Sequence, residues 1–98
     1  MAQFIALLRR NHDDFTDAQF TPELMEAEAD RARQLYTDGI YRQIWSRGDL
    51  PGAAIIVEAP SADEARDVLG TLPLTQKGML LLDVLVPLNP YRGFAPRG

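Results

Sequence analysis

The segment 39–74 leaves this chain the least freedom in how it folds. It opens G-I-Y-R-Q-I-W, turns through R-G-D-L-P-G, continues A-A-I-I-V-E-A-P-S and closes on T-L-P-L. Gly39 follows a polar helical stretch and is placed to end it in a left-handed cap. Two runs rich in β-branched and aromatic residues then flank a turn, as a strand pair requires. Ser61 and Glu64 have the spacing of a capping box, which opens a second helix. Ala65, Val68, Leu69 and Leu72 form its apolar stripe, and Pro73 is expected to stop it.

The flanks complete the pattern. Residues 2–9 read as a first strand, with Phe4, Ala6 and Leu8 on one side and Ile5 and Leu7 on the other, so both faces are expected to be covered. Residues 10–21 are polar and irregular. Thr21 caps a helix that has Pro22 at its first position and runs to about Asp38. Strands are expected at about 40–47, 53–59 and 79–86.

The order βαββαβ, joined by right-handed crossovers, gives an α+β, ferredoxin-like antiparallel sheet with both helices on one face. The other face would lie bare, although strands two and four are apolar on both sides. The expectation is therefore a dimeric α+β barrel, built sheet to sheet. Residues 1–88 would form this domain. Residues 89–98 would be a Pro/Gly-rich tail whose Tyr91 and Phe94 suit it to docking on a neighbouring subunit, the plainer reading being a frayed terminus.

Composition narrows the function classes. A chain of 98 residues suits one domain with a modest core and favours association with copies of itself. There is no cysteine, hence no disulfide framework and no thiolate nucleophile, and the single His12 cannot build a multi-histidine metal site. A net charge of −4 argues against a nucleic-acid partner. Phe4 to Leu8 is an apolar run stopped by Arg9 and Arg10, the reverse of a secretory signal. Nothing approaches the ~20 apolar residues of a membrane span, so the expected location is the cytoplasm.

Several residues carry possible chemistry. Glu28 falls within the helix stripe of Leu24, Met25, Ala32 and Leu35, whereas Glu26 and Asp30 fall opposite. A carboxylate facing a sheet is either a general acid/base with a raised pKa or a structural ion-pair partner. Asp83 interrupts the apolar run M-L-L-L-D-V-L-V and must face a cavity, an interface or an arginine. On strand two, simple alternation groups Tyr41, Gln43, Trp45 and Arg47 on one side. Trp45 is then core or interface filler, or part of a small-molecule pocket wall with Tyr41 and Gln43. Arg42 either holds a substrate carboxylate or neutralises a buried acid such as Glu28. His12 lies beside Asp13 and Asp14, which can orient its ring and raise its pKa, or it is an exposed loop histidine.

Glu28, Leu35, Gly39, Arg42, Trp45, Pro60, Ser61, the L-P-L at 72–74 and Asp83 together resemble the muconolactone delta-isomerase family. The likeness covers most of the chain and is best from Glu28 to Leu74. It departs from the family pattern at Ser46, where a basic residue is usual, and at Ile5 and Leu7, where strand one is usually polar. The resemblance implies the dimeric α+β barrel, rings of dimers with exchanged C-terminal segments, and no metal or organic cofactor. It implies an isomerase, or a related lyase, acting by proton transfer on a small lactone or ring-derived carboxylate. In that reading Glu28 shuttles the proton, Arg42 or Arg47 holds the carboxylate, Tyr41 and Trp45 wall the pocket together with Asp83, and His12 is a second acid/base candidate. The alternatives are a non-catalytic ligand-binding or scaffold protein on the same barrel, or a cofactorless monooxygenase.

Overall fold

The computed structural model describes residues 1–94. The elements are β1 (Ala2–Arg10), α1 (Pro22–Thr37), β2 (Tyr41–Ser46), β3 (Gly52–Ala59), α2 (Ala62–Leu69), α3 (Pro73–Gln76) and β4 (Leu80–Leu88). The strands form one sheet in the order β2-β3-β1-β4 with every pairing antiparallel. This is the ferredoxin-like α+β arrangement expected from the sequence.

Local chemistry sets the boundaries. The Thr21 hydroxyl accepts the Leu24 N–H and Pro22 sits in the first turn, so α1 starts there. Gly39 ends it at φ +78°, a backbone region that glycine enters without a Cβ penalty. The Ser61 hydroxyl accepts the Glu64 N–H at the start of α2. The Pro73 expectation needs correction. α2 already ends at Leu69, and Pro73 instead opens the one-turn helix α3, because its fixed φ suits a first helical position and its missing N–H costs nothing there.

Phe4, Ala6 and Leu8 of β1 face Leu35, Ala65, Leu69, Leu72 and Leu74 from the helices, with Ile55 and Val57 of β3 completing the core. Burying such side chains contributes roughly 1.5–3 kcal/mol each. Gly52 lies where β3 crosses β1 so closely that a Cβ would run into the Leu8 carbonyl. Gly52→Ala is expected to cost on the order of 3 kcal/mol, read from the urea midpoint, because backbone cannot rotate out of the way.

The opposite face of the sheet is uncovered. β1 offers Ile5 and Leu7 to it, β3 offers Ile56, and β4 offers Val84 and Val86. Trp45 on β2 is 56% exposed there. A bulge between Leu7 and Leu8 in the β1–β4 ladder leaves Asp83 unpaired in register and on this same open face, where it meets Arg9. Beyond β4, Tyr91 and Phe94 stack edge to face at 5.0 Å and are both exposed. The remainder of the expected docking tail, residues 95–98, lies outside the described residues. No helix among the described residues is long and apolar enough to cross a membrane.

Candidate active site

The helix α1 approaches β2 and α3 and stands off the centre of the sheet, leaving a cleft of about 780 Å³. Met25, Ala29 and Ala32 line it from α1, Ile44 and Ile55 from the sheet, and Leu72 and Leu74 from the α2–α3 segment. Its polar lining is sparse: Arg10, Glu28, Arg33, Tyr36, Thr37, Tyr41 and Ser46. Mostly apolar walls with a few convergent polar groups are the usual make-up of a small-molecule site.

Glu28 projects into this cleft from the apolar side of α1. Its Oε1 accepts the Leu74 N–H at 3.0 Å. That N–H lies in the first turn of α3, where backbone donors lack helical partners, and Leu72 at the cap position supplies no side-chain acceptor. Glu28 therefore caps α3 from another helix. Burial pushes its pKa above the ordinary 4.5, while the Leu74 hydrogen bond opposes the rise. Oε2 has no hydrogen-bond partner among the described residues.

Tyr41 enters the same cleft from the start of β2. Its ring is 1% exposed and its hydroxyl is buried with no hydrogen-bond partner among the described residues. Burial, and next the negative charge of Glu28, raise its pKa well above the usual phenol value of 10. At neutral pH Tyr41 is thus a neutral O–H donor without an acceptor, beside a carboxylate with one uncommitted oxygen.

The other sequence candidates lie elsewhere. Strict alternation put Tyr41, Gln43, Trp45 and Arg47 on one face, but the β2–β3 ladder bulges between Tyr41 and Gln43. One extra residue, Arg42, reverses the alternation. Tyr41, opposite Val57, stays on the helix side with Ile44 and Ser46, while Gln43 and Trp45 turn to the open face. Trp45 therefore does not share a wall with Tyr41. Arg42 is exposed near Gly39 and is absent from the cleft lining. Arg47 forks onto Asp49 at 2.7 Å and reaches Asp83 at 3.2 Å. Asp83 also binds Arg9 Nε at 2.7 Å, so its charge is neutralised on the open face. That fork holds the Asp49 carboxyl down to about 2. His12 pairs with Asp17 rather than with its immediate neighbours, Nε2 to Oδ1 at 2.9 Å, and its ring meets Phe20 edge-on, away from the cleft lining.

Arg10 is a cleft residue that sequence reasoning missed, as are Arg33, Tyr36, Thr37 and Ser46. The doublet Arg9-Arg10 looked like the polar end of a strand, yet alternation sends Arg9 to the open face and Arg10 to the cleft. The Arg10 guanidinium lies over the Phe20 ring, 4.8 Å from its centroid.

Comparison with known proteins agrees with this architecture. No sequence among curated proteins matches the chain. Among solved structures it is similar to 5-chloro-2-hydroxyhydroquinone dehydrochlorinase (TftG) from Burkholderia phenoliruptrix AC1100, in complex with 2,5-dihydroxybenzoquinone. The two share 18% identity at a TM-score of 0.60, over 93% of this chain and 94% of that one, which is a likeness of fold. The profile of the muconolactone delta-isomerase family matches residues 3–92, nearly the whole chain. With a ferredoxin-like sheet and a helix-covered cleft behind that match, the chain belongs to the muconolactone delta-isomerase family.

Proposed function

We propose that the protein is a cofactor-independent isomerase, or a closely related lyase, that moves a proton on a small lactone or ring-derived carboxylate in the cleft between α1 and the sheet. The observation that carries this reading is the pairing of Glu28 with Tyr41: a carboxylate with a raised pKa beside a buried, unpartnered phenol. A C–H in conjugation with a lactone carbonyl is acidic only if the negative charge reaching the carbonyl oxygen is stabilised. Glu28 removes that proton through its uncommitted oxygen. Tyr41 donates its O–H to the oxygen where charge accumulates. Glu28 then returns the proton to a different ring carbon, and the double bond has moved with no net change in atoms or electrons. An elimination such as dehydrochlorination begins with the same proton removal, and the likeness to TftG supports keeping that lyase variant within the reading.

The test is ultraviolet-monitored turnover of muconolactone by the purified protein and by its Glu28→Gln variant. Turnover that disappears in the folded variant supports the reading. Turnover that persists removes Glu28 from the mechanism, and a folded wild type with no turnover overturns this substrate.

We also infer that two copies pair through the open sheet face to close an α+β barrel, with the tail carrying Tyr91 and Phe94 docking on a neighbouring subunit. The apolar Ile5, Leu7, Ile56, Val84 and Val86, with Trp45, support this pairing. A charge within it would be stranded in the contact, so Val86→Asp is expected to shift the sedimentation mass from an even-numbered assembly to the monomer. An unchanged mass would remove this face from the assembly.

A further inference from the structure

We infer that Arg10 is the carboxylate-binding residue of the cleft. The identity of the reaction rests on the proton-transfer reading above; the binding role of Arg10 does not.

The cations of the described residues sort cleanly. Arg9 and Arg47 are held by Asp83, with Asp49 also on Arg47. Arg33 is held by Glu26 and Asp30, and Arg66 by Asp63. Arg31 binds Thr71 and Gln34. Arg42 and Arg92 are outside the cleft, and Lys77 borders a separate hollow with Phe15 and Met79. Arg10 alone both lines the cleft and forms no ion pair among the described residues. A half-buried guanidinium without a counter-ion is costly, and an anionic ligand offsets that cost. The guanidinium makes a cation–π contact with Phe20, and no side-chain N–H of Arg10 has an acceptor among the described residues, which leaves the group available to a planar, two-oxygen acceptor. Glu28 does not compete for it, because its bonded oxygen is turned to Leu74.

Register places the two groups at opposite ends of the cleft: Arg10 pairs with Leu80 at the end of β1, whereas Tyr41 lies level with Val57 and hence with Phe4. A carboxylate held by Arg10 is therefore the end of the ligand remote from Tyr41.

The decisive probe is a saturated γ-butyrolactone with an acetate arm, which has no double bond to move, compared with its methyl ester. Calorimetric titration of wild type is expected to favour the acid over the ester by about 10- to 100-fold, the range of a charge-assisted hydrogen-bonded pair. Arg10→Gln should lower that ratio to about one, and Arg10→Lys should keep part of it. With muconolactone, Arg10→Gln should raise KM at least about tenfold while kcat changes little, because the contact is made in ground and transition states alike. Equal binding of acid and ester by wild type, no binding of either, or an acid preference that survives in Arg10→Gln would each overturn the inference. Circular dichroism and the thermal midpoint confirm folding, with Arg10→Lys as the conservative variant. If wild type binds the acid through Arg10 yet turns over nothing, the proton-transfer reading falls and Arg10 stands. If turnover needs Glu28 but is indifferent to Arg10, the reverse holds.

Discussion

Glu28→Gln is expected to lower kcat by about 10²- to 10⁴-fold, the range supplied by a positioned general acid/base, while the folded protein stays intact. Gln is the informative replacement because the carboxylate has two duties. It faces the cleft, and it accepts the Leu74 N–H at the start of α3. An amide oxygen can still accept that N–H but cannot take up a proton at neutral pH. Glu28→Ala would leave the Leu74 donor orphaned and confuse a lost cap with lost chemistry. The stability effect has a definite sign. Because the folded-state pKa is raised, the native state holds the proton in the window above 4.5 where the unfolded chain has released it. The stabilisation from this group is full below that window and is lost as pH rises through the folded value. Glu28→Gln removes that dependence, so the variant should gain on wild type as pH increases from 4 towards 8 (about the span of interest for a carboxylate). Paired urea titrations across that range check it; parallel stability curves would show that Glu28 titrates as an ordinary surface acid.

Tyr41→Phe is expected to move activity and stability in opposite directions. The hydroxyl is buried without a partner, and such a group costs about 1–3 kcal/mol of desolvation. Removing it while keeping the ring preserves the packing against the core, so the urea midpoint should rise. If the O–H stabilises charge on the lactone oxygen, kcat should fall about 10²- to 10³-fold, as when one oxyanion donor is removed. A variant that is more stable and equally active would assign the hydroxyl no part in the reaction. A variant that is less stable would mean the hydroxyl already has an acceptor in solution.

Where the sequence was legible, a local chemical signal had one structural meaning. Thr21-Pro22, Gly39 and Ser61 each mark an element end whatever the rest of the chain does, and alternation along β1 and β3 put Phe4, Ile55 and Val57 in the core. Glu28 was legible for the same reason, since a helix has one period and the residue broke it. What escaped depended on the neighbours of an element. The bulge at Arg42 arises from pairing with β3 and cannot be read from β2, so Tyr41 seemed to share a face with Trp45. Pro73 stops one helix or starts another depending on where the chain goes next, and here Glu28 supplies the cap that makes starting favourable. Arg9 and Arg10 differ only in which face they reach, and what waits on each face, Asp83 or an open cleft, is settled by packing far along the chain.

The bond from Leu74 to Glu28 has a stereochemical consequence. With Oε1 tied to the backbone, the carboxylate cannot swing freely, and in the proposed proton shift only the other oxygen is left to take up and return the proton. Because Glu28 stands on α1, that oxygen would meet a ring bound in the cleft from the α1 side. A shift carried out this way would be suprafacial: the carbon that gives up hydrogen and the carbon that receives it would react on the same face of the ring, so in deuterated water the label would enter the face from which the proton left.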